Sequence, residues 1–342
     1  MRIRFVFIIS FLLSLILTPL LRAVALRLKI LDHPAQRKIH QVPMPLLGGA
    51  AVYLAFLVPM FLLGLSDRYL MGLVLGATLI FVTGLVDDLK KLPALFRLMV
   101  QLIAAIIVIS SGMVLSFLPN TFWGNAGEIL LTIIWILGLI NALNCLDGID
   151  GLAATLTITQ GLCFLVIAYQ TRQFLVGCVS AALVGSSLGF LKYNFNPARI
   201  FLGDAGSTLI GFIFAVIALM GTWAENNFVS IFVPVFILGV PIFDMTLTTI
   251  MRLREKKVIN VLTWLSYTGK DHFHHRLLDL GFGPRSAVVF IASISLSIGI
   301  SGILLMKRSI ATATFMLLQA AMVFMLIGIL MVVSAREKSK HV

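Results

Sequence analysis

The sequence predicts an all-α, polytopic integral membrane protein, and three observations carry that expectation. The 342 residues are 60% hydrophobic and only 12% charged, with a mean hydropathy of +1.06, a composition foreign to soluble globular chains. Eleven stretches reach or approach the roughly 20 apolar residues that a bilayer-crossing helix needs: 3–22, 47–66, 69–86, 94–112, 128–143, 151–169, 173–190, 206–223, 227–251, 285–305 and 309–334. Only helices or closed barrels satisfy backbone hydrogen bonds in lipid, and runs this long and apolar exclude barrel strands. Too little chain remains for a soluble domain, so a single transmembrane unit over 1–342 is expected, with one long inner loop at 252–285.

Orientation follows from Lys and Arg. With the N-terminus outside, 20 of the 26 basic residues fall on the inner side, leaving Arg2, Arg4, Arg68, Arg172, Lys307 and Arg308 outside. The positive-inside rule therefore predicts an outer N-terminus and a cytoplasmic C-terminus. The net charge of +12 is accounted for by this bias and by anionic lipid headgroups, so no nucleic acid partner is needed. The first run admits one alternative: Arg2 and Arg4, an apolar core and Ala23-Val24-Ala25 resemble a secretory signal. The core from Phe5 to Leu21 exceeds the usual length and Arg22 sits awkwardly before the small residues, so an uncleaved first helix is expected. Cys145, Cys163 and Cys178 lack metal-site spacing and read as small hydrophobes.

The same topology puts all six histidines and eleven of the fourteen acidic residues on the inner face. Carboxylates near hydrocarbon are costly and imply a partner that offsets their charge. Several of them at one mouth suggest a divalent metal and a phosphate-bearing substrate. Five inner stretches hold them. The first, 27–49, carries Arg37, Lys38 and His40, then Pro43, Pro45 and Gly48-Gly49; alone it reads as a basic surface loop. The second ends the third run at Asp87-Asp88-Leu-Lys90-Lys91, where a solvated helix end is an equal alternative. The third is Asn141-Ala-Leu-Asn144-Cys-Leu-Asp147-Gly148-Ile-Asp150-Gly151. If helical, Asn144, Asp147 and Asp150 share one face, although the glycines predict unwinding there. The fourth runs from Asn194 to Ser207, with Asp204 and Ser207 at the start of the next run, where free N–H groups and the helix dipole favour an anion. A plain N-cap by Asp204 is the simpler alternative. The fifth ends in Lys270-Asp271-His272-Phe273-His274-His275-Arg276. Only His272 and His275 have the spacing of a zinc pair, and no cysteine assists, so imidazoles beside arginine suit a diphosphate better. Upstream, Val258 to Tyr267 reads as a short interfacial segment.

Taken in order, RKIHQVPMPLLGG, GLVDDLK, RLMVQ, NALNCLDGIDGL, NFNPARIFLGDAGS, PIFD and HFHHRLLDLG resemble the polyprenyl-phosphate N-acetylhexosamine-1-phosphate transferases. That superfamily also contains phospho-MurNAc-pentapeptide translocase. The HFHHR ending looks like the N-acetylglucosamine-1-phosphate branch, undecaprenyl phosphate being its lipid acceptor. Two departures bear on the sugar: Val42 and Leu46 stand where many relatives carry a basic residue, and Gly-Lys-Asp-His replaces the commoner Asp-Arg/Lys-x-His.

The resemblance implies transfer of a sugar-1-phosphate from a UDP-sugar to polyprenyl phosphate at the bacterial inner membrane, with release of UMP. It implies that Asp204 and Asn144 hold Mg²⁺ or Mn²⁺, and that Asp87, with Asp88 beside it, deprotonates or orients the lipid phosphate. Arg97 and His40 fall at basic positions for that phosphate. Asn194, Phe201, Asp147 and Asp150 fall at the nucleotide pocket, and His272, His274, His275 and Arg276 at the sugar diphosphate. Neighbouring alternatives are a phospho-MurNAc-pentapeptide transferase or another UDP-HexNAc transferase. A different class is a flippase of lipid-linked sugars, although transporters place polar sites near the bilayer midplane on broken helices in repeated halves, and no matching halves are visible here. The sugar, the prenyl length, the polysaccharide served (lipopolysaccharide or teichoic acid) and the oligomeric state, a homodimer included, stay open.

Overall fold

A computed structural model describes residues 1–34, 42–62, 64, 67–224, 227–258, 267, 269–306 and 310–340. Apart from one two-residue ladder between Leu31–Asp32 and Met44–Pro45, the described regular structure is helical. The chain divides into two compact units, Met1–Gly221 and Thr222–Val342.

The first unit contains α1 (Arg2–Arg27), α2 (Gly48–Leu62), α3 (Arg68–Lys90), α4 (Ala94–Ser110), α5 (Phe122–Leu146), α6 (Leu152–Gln170), α7 (Phe174–Asn194) and α8 (Gly203–Met220). Helices joined by short turns alternate in direction. The C-terminal ends of α3, α5 and α7 therefore lie with the N-terminal ends of α2, α4, α6 and α8. In lipid, helices associate through close van der Waals packing rather than hydrophobic exclusion, so small residues mark their contacts. Gly185 and Gly189 of α7 lie against Ser10 and Ser14 of α1, and a Cβ on Gly84 of α3 would come within 2.6 Å of the Ala205 Cα in α8. That contact brings the end of α3, with its two aspartates, to the start of α8. Asp67 caps α3 by accepting from the Tyr69 and Leu70 N–H groups. The buried Glu128 accepts from the Phe117 and Leu118 N–H groups at 2.6 and 2.7 Å, a use for a carboxylate that otherwise sits among apolar residues.

The second unit contains α9 (Asn227–Ile237), α10 (Gly239–Arg254), α11 (Phe273–Asp279), α12 (Pro284–Leu305) and α13 (Ile310–Lys340). Here the sequence reading is corrected. The ninth apolar run, expected as one span over 227–251, is broken at Leu238, and α9 and α10 meet at an 81° bend. Pro234 lies inside α9, and Pro241 in the first turn of α10 removes a backbone donor just past the break.

Each of the eleven predicted runs coincides with a helix or with this bent pair. Among the described residues, eight helices are long and apolar enough to cross a membrane, or up to nine spans if the bent pair counts as one. α2 and α4 are apolar but shorter. The protein is a multi-pass membrane protein.

Candidate active site

Sequence and packing together collect polar side chains at one end of the first unit. Asp87, 2% exposed, takes the Arg97 Nη1 at 2.9 Å and the Leu92 N–H at 2.6 Å, and it also meets the carboxyl of Asp204. Asp88 is used differently. Its two oxygens accept the backbone N–H groups of Asp204 and Ala205 at 2.8 and 3.1 Å. These are among the orphan donors of the first turn of α8, so Asp88 caps that helix from a distance of more than a hundred residues in sequence. The expected alternative of a plain N-cap by Asp204 is thereby replaced: Asp88 does the capping and the Asp204 side chain is free to face elsewhere.

It faces Asn144. The Asn144 Nδ2 donates to Asp204 Oδ1 and to Ser207 Oγ, both at 2.9 Å, and Ser207 Oγ donates to the Gly203 carbonyl at 3.0 Å. One turn back on α5, Asn141 Nδ2 donates to Gln101 Oε1 of α4 at 3.0 Å. The Asp204 charge also acts on Asp88 and Asp147. Burial first, then the charges of Asp204 and Asp150, push the Asp147 carboxyl up to about 7.

The shared helical face of Asn144, Asp147 and Asp150 does not form. α5 ends at Leu146, Asp147 is its C-cap, and Gly151 at φ +79° turns the chain into α6. Asp150 is carried round to the 194–198 turn, where its Oδ2 accepts from Asn196 Nδ2 at 3.0 Å and the Ala198 N–H at 2.9 Å. Asn194, 3% exposed, donates through Nδ2 to the Ile200 carbonyl at 3.0 Å. The backbone of Phe201 is pinned on both sides: its N–H donates to the Pro45 carbonyl, and its own carbonyl accepts from Gly48. Gly49 similarly donates to Leu202. A Cβ on Gly48 would collide with the Phe201 carbonyl and the Phe190 ring, so the glycine pair serves this close backbone approach. Arg37, Lys38 and His40 lie outside the described residues.

The histidines belong to the second unit. The His272 Nδ1 meets Asp244 Oδ2 at 2.7 Å, and the Phe273 N–H donates to Asp244 Oδ1 at 2.7 Å. Arg252 forms a two-pronged pair with Asp271, both contacts at 2.7 Å. Its Nη2 also lies 3.1 Å from His272 Nε2, and its guanidinium covers the Tyr267 ring at 4.7 Å. Burial works to raise the Asp271 carboxyl, but the Arg252 bond and charge outweigh it and hold it below the usual range. His274 is 1% exposed, and neither of its ring nitrogens has a hydrogen-bond partner among the described residues. Burial holds it well below the ordinary imidazole range. Burial first, then neighbouring basic groups, push His275 down to about 4. His275 and Arg276 are half-buried on the same short helix. Residues 259–266, most of the interfacial segment expected between Val258 and Tyr267, lie outside the described residues.

Sequence reasoning counted Arg252 only as an inner-side charge and gave Asp244 and Asp271 no role. A basic residue at the end of a span followed by an Asp-His pair was the available signal, but nothing in the spacing tied them together.

Residues 70–222 match the model of glycosyl transferase family 4. That region runs from α3 through α8 and includes Asp87, Asp88, Asn144, Asp147, Asp150, Asn194 and Asp204. The chain is also 34% identical to the probable undecaprenyl-phosphate N-acetylglucosaminyl 1-phosphate transferase of Bacillus subtilis (strain 168), over 92% of this chain and 88% of that protein. The chain belongs to glycosyl transferase family 4. Other members it resembles are the decaprenyl-phosphate N-acetylglucosaminephosphotransferase of Mycolicibacterium smegmatis, 30% identical over 79% of this chain and 74% of that one, and the undecaprenyl-phosphate alpha-N-acetylglucosaminyl 1-phosphate transferase of Salmonella typhimurium, 29% identical over 85% and 81%. As a family 4 member the protein is a transferase enzyme.

A divalent cation, expected from the resemblance in sequence, would find donors of a suitable kind in the first unit. They are hard oxygens, which fit Mg²⁺ or Mn²⁺ rather than Zn²⁺, and the Asp204 charge acts on three other carboxylates. Among the described residues no three His, Cys, Asp or Glu side chains form a finished metal cluster. Mg²⁺ does not require one, since it is commonly held by one or two carboxylates together with substrate phosphates and water.

Proposed function

We propose that this protein transfers N-acetylglucosamine-1-phosphate from a UDP-sugar to polyprenyl phosphate, undecaprenyl phosphate in particular, at the cytoplasmic face of a bacterial inner membrane. A phosphate oxygen of the lipid attacks the β-phosphorus of the UDP-sugar. A new P–O bond joins lipid to sugar phosphate, and the bond to the α-phosphate breaks so that UMP leaves. The product is a diphosphate-linked lipid, the substrate of a later step in a cell-envelope polysaccharide. Eleven spans with the N-terminus outside, counting α2, α4 and the bent pair as one each, would put the acid cluster on the cytoplasmic side.

The observation that carries this reading is the meeting of Asp204, Asn144 and Ser207 with the Asp87–Arg97 pair at one end of the first unit. Phosphoryl transfer is mostly positioning and charge neutralisation, and this arrangement supplies both. Asp204 with Asn144 would hold Mg²⁺, which supplies charge neutralisation at the diphosphate oxygens. The Asn144 amide as bonded presents Nδ2 to Asp204, so it would turn over to offer Oδ1. Arg97 holds Asp87 in the described structure and is the cation beside it able to transfer to an incoming lipid phosphate. Asp87, released from that pair, then orients or deprotonates the attacking oxygen. Asp150 and Asn194 fix the 194–201 turn at the nucleotide pocket, with Asp147 and Phe201 at its edge, and the segment that follows His272 meets the sugar diphosphate through His274, His275 and Arg276.

The lipid acceptor and the sugar are supported by the relatives, which are described as polyprenyl-phosphate N-acetylglucosamine-1-phosphate transferases. A lipid-linked-sugar flippase is the reading from a different class, and the 81° break between α9 and α10 is a feature of the kind transporters use. A panel of UDP-sugars offered to purified protein with polyprenyl phosphate separates the two. UMP release dependent on UDP-GlcNAc and on the lipid is expected, whereas absence of UMP from every donor would remove the enzyme reading.

A further inference from the structure

The histidine segment is fixed by a closed set of buried ionisable groups, and the bonding assigns one of its histidines a different task from the others. Asp244, Arg252, Asp271 and His272 are all nearly inaccessible to solvent, at 0%, 4%, 8% and 5% exposed. Buried charges are tolerated when each is paired and hydrogen-bonded, and removing one member of such a set leaves an uncompensated charge. Here every member is engaged. Asp244 on α10 holds the His272 ring through one oxygen and the Phe273 N–H through the other. Arg252, two turns further along α10, reaches Asp271 with two of its nitrogens and His272 with one of them. An arginine only donates, so His272 Nε2 must accept from it, and the imidazole proton then sits on Nδ1, facing Asp244.

Both ring nitrogens of His272 are thus occupied by protein, and neither is available to a phosphate oxygen. The next residues differ. His274 has no partner at either nitrogen among the described residues, its ring centroid lies 4.2 Å from that of His275, and Arg276 Nε is also without one. All three stand on the short helix α11, whose first N–H groups emerge from the point that Asp244 holds. A helix of 7 residues is too short to be stable on its own account, so its direction depends on what anchors its start.

We propose that Asp244, Arg252 and Asp271 act through His272 as positioning residues, locking the start of α11 so that His275 and Arg276, with His274 behind them, are aimed at the anionic part of the nucleotide sugar, while His272 itself never touches substrate. This rests on the proposed sugar-phosphate transfer. It makes α10, the second arm of the bent pair, the rigid support of a binding segment, and so gives the break at Leu238 a use other than transport.

The test uses the full-length protein in lipid nanodiscs and two readouts. In ¹⁵N-histidine spectra, with the His272 signal identified by its loss in His272→Gln, the expected form is the neutral Nδ1–H tautomer, and a ring protonated on Nε2 overturns the assignment. In steady-state kinetics, Asp244→Ala, His272→Ala and the double variant should each raise the KM for the UDP-sugar by about 10-fold, alike and without adding, with the KM for polyprenyl phosphate unchanged. Asp244→Glu, which keeps both carboxylate acceptors on a side chain one methylene longer, should recover part of the loss, which a variant that had failed to fold would not allow. A His272→Ala defect much larger than that of Asp244→Ala, falling on kcat and adding to it in the double variant, would mean that His272 touches the reacting groups and would refute the proposal. A wild-type protein that shows the Nδ1–H tautomer but releases no UMP would instead refute the transfer reading and leave the bonding assignment standing.

Discussion

Replacing Gly203 by alanine tests whether Asp88 is the residue that sets Asp204. Gly203 opens α8 at φ +73°, and a Cβ there would stand 2.5 Å from Asp88 Oδ2 and 3.0 Å from its Cγ. Two costs follow. An L-residue in the left-handed region costs about 1–2 kcal/mol. The carboxylate must also withdraw, weakening its bonds to the Asp204 and Ala205 N–H groups, and a hydrogen bond to a charged group contributes about 1.5–3 kcal/mol. Asp88 is partly accessible, so water replaces some of what is lost and the lower figure applies. The sum is about 3 kcal/mol, or roughly 100-fold in the equilibrium for local opening of the first turn of α8. Hydrogen exchange read at the peptides spanning 203–208 should therefore accelerate by that factor in Gly203→Ala, while α6 and α7 exchange as in the wild type. Turnover should fall with it, because the Asp204 side chain loses its fixed origin. Wild-type exchange in this turn together with normal turnover would refute the capping role of Asp88.

Asp204→Asn should lower turnover and metal affinity together and be partly rescued by extra Mg²⁺, whereas Asp87→Asn should lower kcat by about 10²–10⁴-fold with no rescue; equal rescue of both would erase the distinction between them. Full activity in excess chelator, or better activity with Zn²⁺ than with Mg²⁺, would contradict an oxygen-ligated cation. Asp150→Ala removes the acceptor for Asn196 and Ala198 and should raise the KM for the UDP-sugar, with an unchanged KM counting against its place at the nucleotide turn. Asp147 sets a pH dependence whose sign is fixed. Its carboxyl is raised to about 7 in the fold against about 3.9 in an open chain, so between those values the folded state binds the extra proton. Its contribution is complete below about 4, is lost as pH rises towards 7 and is flat above. Asp147→Asn should remove that decline from thermal melts taken across pH 4–8, and a decline of unchanged slope would show that another group causes it.

Much of the fold was legible because a bilayer imposes a simple rule: where about 20 apolar residues run together, a helix follows. Each such run contains a described helix or the bent pair. What the rule does not register is direction within a run. The stretch 227–251 is uniformly apolar, so hydropathy alone reads it as one span, and the break is visible only in Pro234, Gly239 and Pro241. The polar stretches were legible as candidates but not as partners. Asp87 and Asp88 are adjacent in sequence and look equivalent, yet one pairs with Arg97 ten residues on and the other caps a helix that begins at residue 203. Asp150 looked like a neighbour of Asn144 on one helix, whereas the glycines at 148 and 151 carry it round to the Asn196 turn. Spacing set His272 and His275 apart as a possible zinc pair, but it cannot show that Asp244, 28 residues earlier in the chain, has claimed the first of them.

If a sugar phosphate rather than a sugar moves to the lipid, the β-phosphorus of the donor must move with it. Purified protein is given UDP-GlcNAc labelled with ³²P at the β-position, polyprenyl phosphate and Mg²⁺, and the label is partitioned between organic and aqueous phases. The β-phosphate should enter the lipid fraction in step with unlabelled UMP appearing in the water, and omitting the lipid should stop both. Label leaving as UDP would mean that the sugar–phosphate bond is the one broken, and label that stays in intact UDP-GlcNAc would mean that no transfer occurs; either result would contradict sugar-phosphate transfer.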